Sequence, residues 1–251
     1  MAADSSSASP TGAIATNIAQ IRDRIAAACA RANRQATAVE LMAVSKIHPA
    51  SALLEAAAAG ITLFGENRVQ EFASKKLELM GLPAGTTDHS PVVICMIGHL
   101  QTNKARRAAE LFDEIHSLDS LSLAEKLNEA AISLNKKLPV LLEIKLSHEP
   151  AKTGLLPNSP DLQALLESLP SLPALELRGL MTVPPWDEDA EAARPYFRQL
   201  RELRETLAQQ HPCLNFEDLS MGMTNDFEVA IEEGSTIVRI GTAIFGKRSY
   251  K

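Results

Sequence analysis

EDLSMGMTNDFEVAIEEGSTIVRIGTAIFG, residues 217–246, carries two short apolar runs with a helical stretch between them. EDLSMG (217–222) and STIVRIG (235–241) both end on glycine, and FEVAIEEG (227–234) has helical spacing and a glycine stop. A strand, a helix and another strand in this order form a parallel βαβ unit. Ser220 and Gly222 precede the helix, with Asn225 as its expected N-cap and Glu228 three residues on. Gly241 and Thr242 follow the last strand. Glycine lets backbone N–H groups approach a ligand closely, and helix N-termini favour anions. Ordinary turn and cap chemistry would use the same residues. Two such loops in succession, at the place where barrels hold phosphate, favour the anion reading.

The same alternation continues upstream. ELMAVSK (40–46), ITLFGEN (61–67), VVICMIG (92–98), DEIHSLD (113–119), PVLLEIKLS (139–147) and LELRGLMTV (175–183) are strand-like. Amphipathic or alanine-rich stretches separate them, such as ASALLEAAAAG (50–60) and RVQEFASKKLELMG (68–81), the latter with Asn67 and Gln70 resembling a cap and its partner. Eight strand-helix alternations predict a single α/β domain, a (β/α)8 barrel over 13–251. An open Rossmann-type sheet is the alternative, but no GxGxxG follows any strand. Ile14, Ile18, Ile21 and Ile25 add an extra helix ahead of the first strand. Residues 1–12, MAADSSSASPTG, read as a disordered tail, with neither the basic nor the apolar region of a secretory signal.

Composition narrows the function classes. The chain has 251 residues, 45% hydrophobic and 22% charged, with a net charge of −6. Net acidity opposes bulk binding to nucleic acid or anionic membrane. No apolar run has the length of a membrane span. Cys29, Cys95 and Cys213 are odd in number and unpaired in spacing, so a disulfide framework is not expected and a reducing cytoplasm is. Cys95 reads as a small core residue. No two histidines stand at ligand spacing, which argues against a metal.

Barrel chemistry gathers at the carboxyl ends of the strands. Those ends carry Lys46, Glu66 with Asn67, His99, Ser117, Ser147, Thr182, Ser220 with Gly222, and Gly241 with Thr242. A ring of polar residues at one level suggests a ligand at the mouth. Lys46 ends an apolar strand, where desolvation favours the neutral, nucleophilic amine. Taken alone, a strand-end lysine is more often solvated or structural. Arg239 is the sharpest oddity. It shares a strand face with Ile237 and Gly241, which points it inward, toward a ligand or a carboxylate such as Glu66. His99 could orient a ligand or cap a helix. His48 reads as a loop residue, and Lys104, Arg106 and Arg107 as a solvated helix face.

Several stretches together resemble one family. LMAVSK (41–46), FGENRVQE (64–71), IGHLQTNK (97–104), RGLMTVPP (178–185) and LSMGMTNDFEVAIEEGSTIVRIGTAIFG (219–246) are similar to the pyridoxal-phosphate homeostasis proteins. These are single-domain relatives of the N-terminal barrel of alanine racemase. The resemblance implies pyridoxal 5′-phosphate held as a Schiff base on Lys46. It also implies that Ser220, Gly241 and Thr242 hold the phosphate, Arg239 lies against the pyridine nitrogen, Asn67 sits near the ring and Met221 near the phosphate loop. The implied role is vitamin B6 homeostasis without robust turnover. It implies a cytoplasmic monomer whose partners are the cofactor and pyridoxal-phosphate-dependent apoenzymes, not nucleic acid or membrane. His48 departs from the lysine, arginine or aromatic residue common there. LEIKLSHEPAKTG departs in its loop, although Lys152 and Gly154 persist. A racemase of narrow specificity is the alternative. It needs a proton acceptor on each face of the substrate carbon, and beyond Lys46 the two tyrosines, Tyr196 and Tyr250, offer no convincing second one.

Overall fold

A computed structural model describes residues 12–80, 92–147, 149 and 153–246. Its eight strands are β1 (Glu40–Val44), β2 (Leu63–Glu66), β3 (Val93–Met96), β4 (Glu114–Leu118), β5 (Leu138–Glu143), β6 (Leu175–Met181), β7 (Asp218–Ser220) and β8 (Ile237–Ile240). Each pairs in parallel with the next, and β8 pairs with β1, closing the barrel. The expected strand order is therefore the observed one. The tail call on residues 1–12 lies outside the described residues except for Gly12, and so do the last five residues of the chain.

The helices are α1 (Ala13–Arg31), α2 (Ala50–Ala58), α3 (Val69–Met80), α4 (Ala105–Leu111), α5 (Leu121–Ser133), α6 (Pro160–Ser168), α7 (Arg194–Gln210), α8 (Phe227–Glu232) and α9 (Thr242–Phe245). Local chemistry explains several of their limits. Ser159 accepts a hydrogen bond from Leu162 N at 3.2 Å with Pro160 in the first turn of α6, and Ser120 caps α5 in the same way. Past α2, Gly60 takes φ +84°, the left-handed position that ends a helix at least cost. None of these helices is long and apolar enough to cross a membrane.

Strand alternation divides the core in two. Ala43, Phe64, Ile94, Met96, Val140, Leu180, Leu219 and Ile240 point outward and pack under the helices with Phe72, Phe112 and Phe197. Met42, Leu63, Cys95 and Ile237 point inward and plug the barrel. Losing a buried phenylalanine from the outer layer would cost roughly 3–5 kcal/mol. The extra helix α1 closes the ring beside α8: Arg24 and Arg31 pair with Glu228 and Glu232, and the Arg24 guanidinium lies 4.5 Å from the Phe227 ring. The exposed pairs contribute little each. The buried faces of Ile18, Ile21 and Ile25 do most of the anchoring.

Two cap assignments are corrected. Helix α3 begins at Val69, and the Arg68 carbonyl accepts from Phe72 N, so Asn67 lies ahead of the cap position. Helix α8 is preceded by Asp226, whose Oδ1 accepts from Met223 N at 2.6 Å. Asn225 instead donates to the Asp187 carbonyl at 2.9 Å.

Candidate functional site at the barrel mouth

At the carboxyl ends of the strands lies a cavity of about 570 Å³, inside the ~300–1,000 Å³ range of small-molecule sites. Lys46, Asn67, Arg239, Gly241 and Thr242 line it together. These five come from three places in the chain: the ends of β1, β2 and β8.

The strand-end lysine is held from below. Its two neighbours in sequence are tied to α3. Lys75 Nζ donates to the Ser45 carbonyl at 2.8 Å and to the Glu66 carboxylate, and Glu71 accepts from Ile47 N. Ser45 Oγ donates to Glu66 at 2.7 Å. Glu66 and Lys75 are buried. Burial pushes the Glu66 carboxyl upward, with Lys75 and Ser45 opposing. Directly after Lys46, Ile47 takes φ +63° and is exposed. A β-branched residue there is strained. The next residue, His48, stacks on Phe245 with ring centroids 4.9 Å apart. The lysine is thus half-buried on a short, firmly tied segment.

Arg239 points inward, as alternation predicts, and is buried. Its Nη1 donates to the Ser220 carbonyl (2.5 Å) and hydroxyl (2.9 Å), and its Nη2 donates to the Thr182 carbonyl (2.8 Å). Burial pulls its pKa down to about 10, while Asp226 and Glu143 favour the charged form. The guanidinium therefore stays protonated at neutral pH. Glu66 is not its partner. That carboxylate faces outward, toward α3, because the inward residues of β2 are Leu63 and Gly65.

Ser220 and Met221 do not line the cavity. Ser220 is fully buried behind Arg239, and Met221 packs outward in the helix-side core. The loop after them needs Gly222, at φ +96°, where a Cβ would lie 2.6 Å from the Ala230 side chain and 2.9 Å from the Phe227 backbone. A second glycine shapes the opposite wall. A Cβ on Gly98 would fall 2.4 Å from the Asn67 carbonyl, so only glycine lets Asn67 sit where it does. His99 lies outside the lining, with Nδ1 3.1 Å from Asp119. Of the other strand-end residues, Ser117, Ser147 and Thr182 are buried. Lys152 lies outside the described residues.

Sequence reading missed the rest of the wall. Val183, Trp186, Asp187 and Asp189 come from the segment between β6 and α7, and Thr224, Asn225 and Asp226 from the loop after β7. Trp186 lines the cavity yet is 74% exposed. A lone tryptophan in a proline-bearing polar loop was a usable signal. So was Lys75, which sits three residues after Phe72 on an otherwise apolar helix face.

The model of the alanine racemase N-terminal domain matches residues 13–249. Pyridoxal phosphate homeostasis proteins are similar over nearly the whole chain. That of Pseudomonas aeruginosa is 44% identical over 94% of this chain and 96% of its own, and that of Escherichia coli is 41% identical over 94% and 97%. Among solved structures, PipY of Synechococcus elongatus with PLP bound is 40% identical, covers 93% of this chain and 100% of its own, and superposes with a TM-score of 0.79. An alanine racemase of Clostridium difficile shares the fold at 16% identity and a TM-score of 0.66, with 96% of this chain matching 58% of that one.

Proposed function

The chain belongs to the pyridoxal phosphate homeostasis proteins, built on the alanine racemase N-terminal barrel, and from that membership we propose that it holds pyridoxal 5′-phosphate at the barrel mouth, attached to Lys46. The observation that carries the reading is one cavity lined by Lys46, Arg239 and the Gly241–Thr242 pair. The donor set fits the group: an amine for its aldehyde, backbone and hydroxyl donors for its phosphate, and a fixed cation for its ring. When bound, the cofactor supplies an aldehyde for amines and an electron-accepting ring.

The residues divide the work. Lys46 Nζ is the attachment point, and the ties from Lys75 and Glu71 hold its segment in register. Thr242 and the Gly241 backbone take the phosphate, with Ser220 acting through Arg239 and Met221 through the packing that sets the 222–226 loop. Asn67 flanks the ring. Arg239 cannot accept a proton, so a ring nitrogen facing it stays unprotonated and the ring stays a weak electron sink. That chemistry suits holding and delivering the cofactor better than turning over amino acids. No tyrosine lines the cavity among the described residues, and Tyr196 lies on α7. The reading extends to a monomer in the cytoplasm that supplies pyridoxal-phosphate-dependent apoenzymes.

Purified protein is expected to be yellow, and Lys46→Ala to lose the visible absorbance. After borohydride reduction, peptide mass analysis should find the adduct on Lys46. An unchanged spectrum in the variant, or an adduct elsewhere, would sink the assignment. Chiral analysis of a panel of L-amino acids should show no racemisation above that of Lys46→Ala.

A further inference from the structure

The inward faces of β3 and β4 bring a thiol, a carboxylate and an imidazole to one point. Cys95 and Glu114 are register partners, and His116 stands two residues further on, on the same face as Glu114. Glu114 Oε2 lies 2.8 Å from His116 Nε2 and 3.7 Å from Cys95 Sγ. One ligand atom from each of the three falls within 4.8 Å of the other two. Cys95 and His116 are fully buried, while the Glu114 side chain keeps 18% exposure. The site is therefore closed on the inside and reachable at its edge.

Two observations point to a ligand. His116 turns Nε2 toward Glu114 and its Nδ1 is buried with no hydrogen-bond partner, so no other hydrogen bond holds the imidazole in a competing role. The surrounding field is also negative. Glu40, Glu114 and Asp218 repel one another across the amino end of the barrel, with Arg178 opposing them. A cation placed among them would relieve that repulsion.

We propose that Cys95, Glu114 and His116 form a site for a single divalent transition-metal ion, with Zn²⁺ the ion the ligand set favours. Thiolate, imidazole and carboxylate are all zinc donors, and three protein ligands leave a fourth position for water. Thiolate and carboxylate together neutralise the ion's two charges, which suits a dry interior. On binding, the Cys95 S–H bond breaks, a sulfur–metal bond forms and the proton leaves to solvent. Hard ions such as Mg²⁺ are disfavoured by the thiolate. Sequence spacing hid the site, because a search for paired histidines passes over a Glu-x-His on a strand facing a cysteine on its neighbour.

The test is a titration of the chelator-stripped full chain with ZnSO₄, followed by calorimetry and elemental analysis. The expected result is one zinc per chain, with affinity falling by about 100-fold or more in Cys95→Ser and in His116→Gln, given that loss of even an outer-shell partner weakens metal sites by roughly 10–100-fold. Cys213→Ser, which removes an exposed thiol, should bind as the parent does. Co²⁺ should give a sulfur-to-cobalt charge-transfer band that Cys95→Ser lacks. Circular dichroism checks that each variant folds. If the core variants do not, Glu114→Gln at the partly exposed edge takes their place and must weaken binding likewise. Absence of stoichiometric binding, or binding that persists unchanged in folded ligand variants, overturns the proposal.

Discussion

The two ends of the barrel keep their charged groups in different company. At the carboxyl end, Lys46 and Arg239 line one cavity together with Asp187, Asp189 and Asp226. At the amino end, the inward groups are the carboxylates of Glu40, Glu114 and Asp218, with Arg178 among them. Met42, Leu63, Cys95 and Ile237 separate the two. A parallel barrel can support this because each strand presents inward residues at several levels, and a plug of apolar side chains keeps the levels apart. The ends also differ in how their charges are held. The mouth's arginine is fixed by backbone carbonyls and its lysine segment by a buried ion pair. The floor's acids face one another, and Arg178 and His116 answer them.

Breaking the support of the mouth should therefore be costly, and relieving the floor mild. The largest effect is expected from Lys75→Met, which strands the Glu66 carboxylate in a buried site. Breaking one side of such a pair costs roughly 3–5 kcal/mol. Urea unfolding should show that loss, and the double variant with Glu66→Gln should recover much of it. Equal stability of Lys75→Met and the parent would mean that the pair does not anchor the Lys46 segment. Gly98→Ala should come next. Its new methyl group collides with the Asn67 carbonyl, an overpacking that costs about 1–3 kcal/mol. Because Asn67 lines the cavity, the variant should also release pyridoxal phosphate faster, measured as decay of visible absorbance on dialysis. Wild-type retention would remove Asn67 from the site.

The smallest effect belongs to the floor. Partial desolvation at the barrel's rim, with Glu114 and Asp218 nearby, pushes the carboxyl of the exposed Glu40 upward. A raised folded-state value means that stability is fullest while the group is protonated and is lost as pH rises through that value. Glu40→Gln removes this loss. Its melting temperature, measured with chelator present, should exceed the parent's near neutral pH and match it below the ordinary carboxylate range. A gain that persists in acid would point to packing rather than charge.

Much of this arrangement is legible in the chain. The eight apolar runs fall on the eight strands because fully buried parallel strands need continuous apolar residues. Arg239 reads correctly as inward-facing because alternation along a strand is strict. Glu66 does not. Its outward direction puts it against Lys75, and nothing local pairs a strand end with a helix residue nine positions on. The Asn67 cap fails for a similar reason, since contact with Gly98, just past β3, decides where its backbone goes. Ser220 and Met221 stand at the end of β7 beside the 222–226 loop, but their side chains divide between the arginine and the helix layer. The wall between β6 and α7 is loop, where periodicity offers no guide.

Trp186 is the only tryptophan in the chain, and it stands on the rim of the mouth, far more exposed than the groups beneath it. Its emission is therefore an optical tag built into one end of the barrel. Cofactor loading should quench it, since a chromophore in the same cavity accepts its excitation energy. A metal event at the floor, with the apolar plug between, should leave it nearly silent and be seen through cobalt absorbance instead. Communication between the ends would then be visible as crosstalk between two colours in one unlabelled sample.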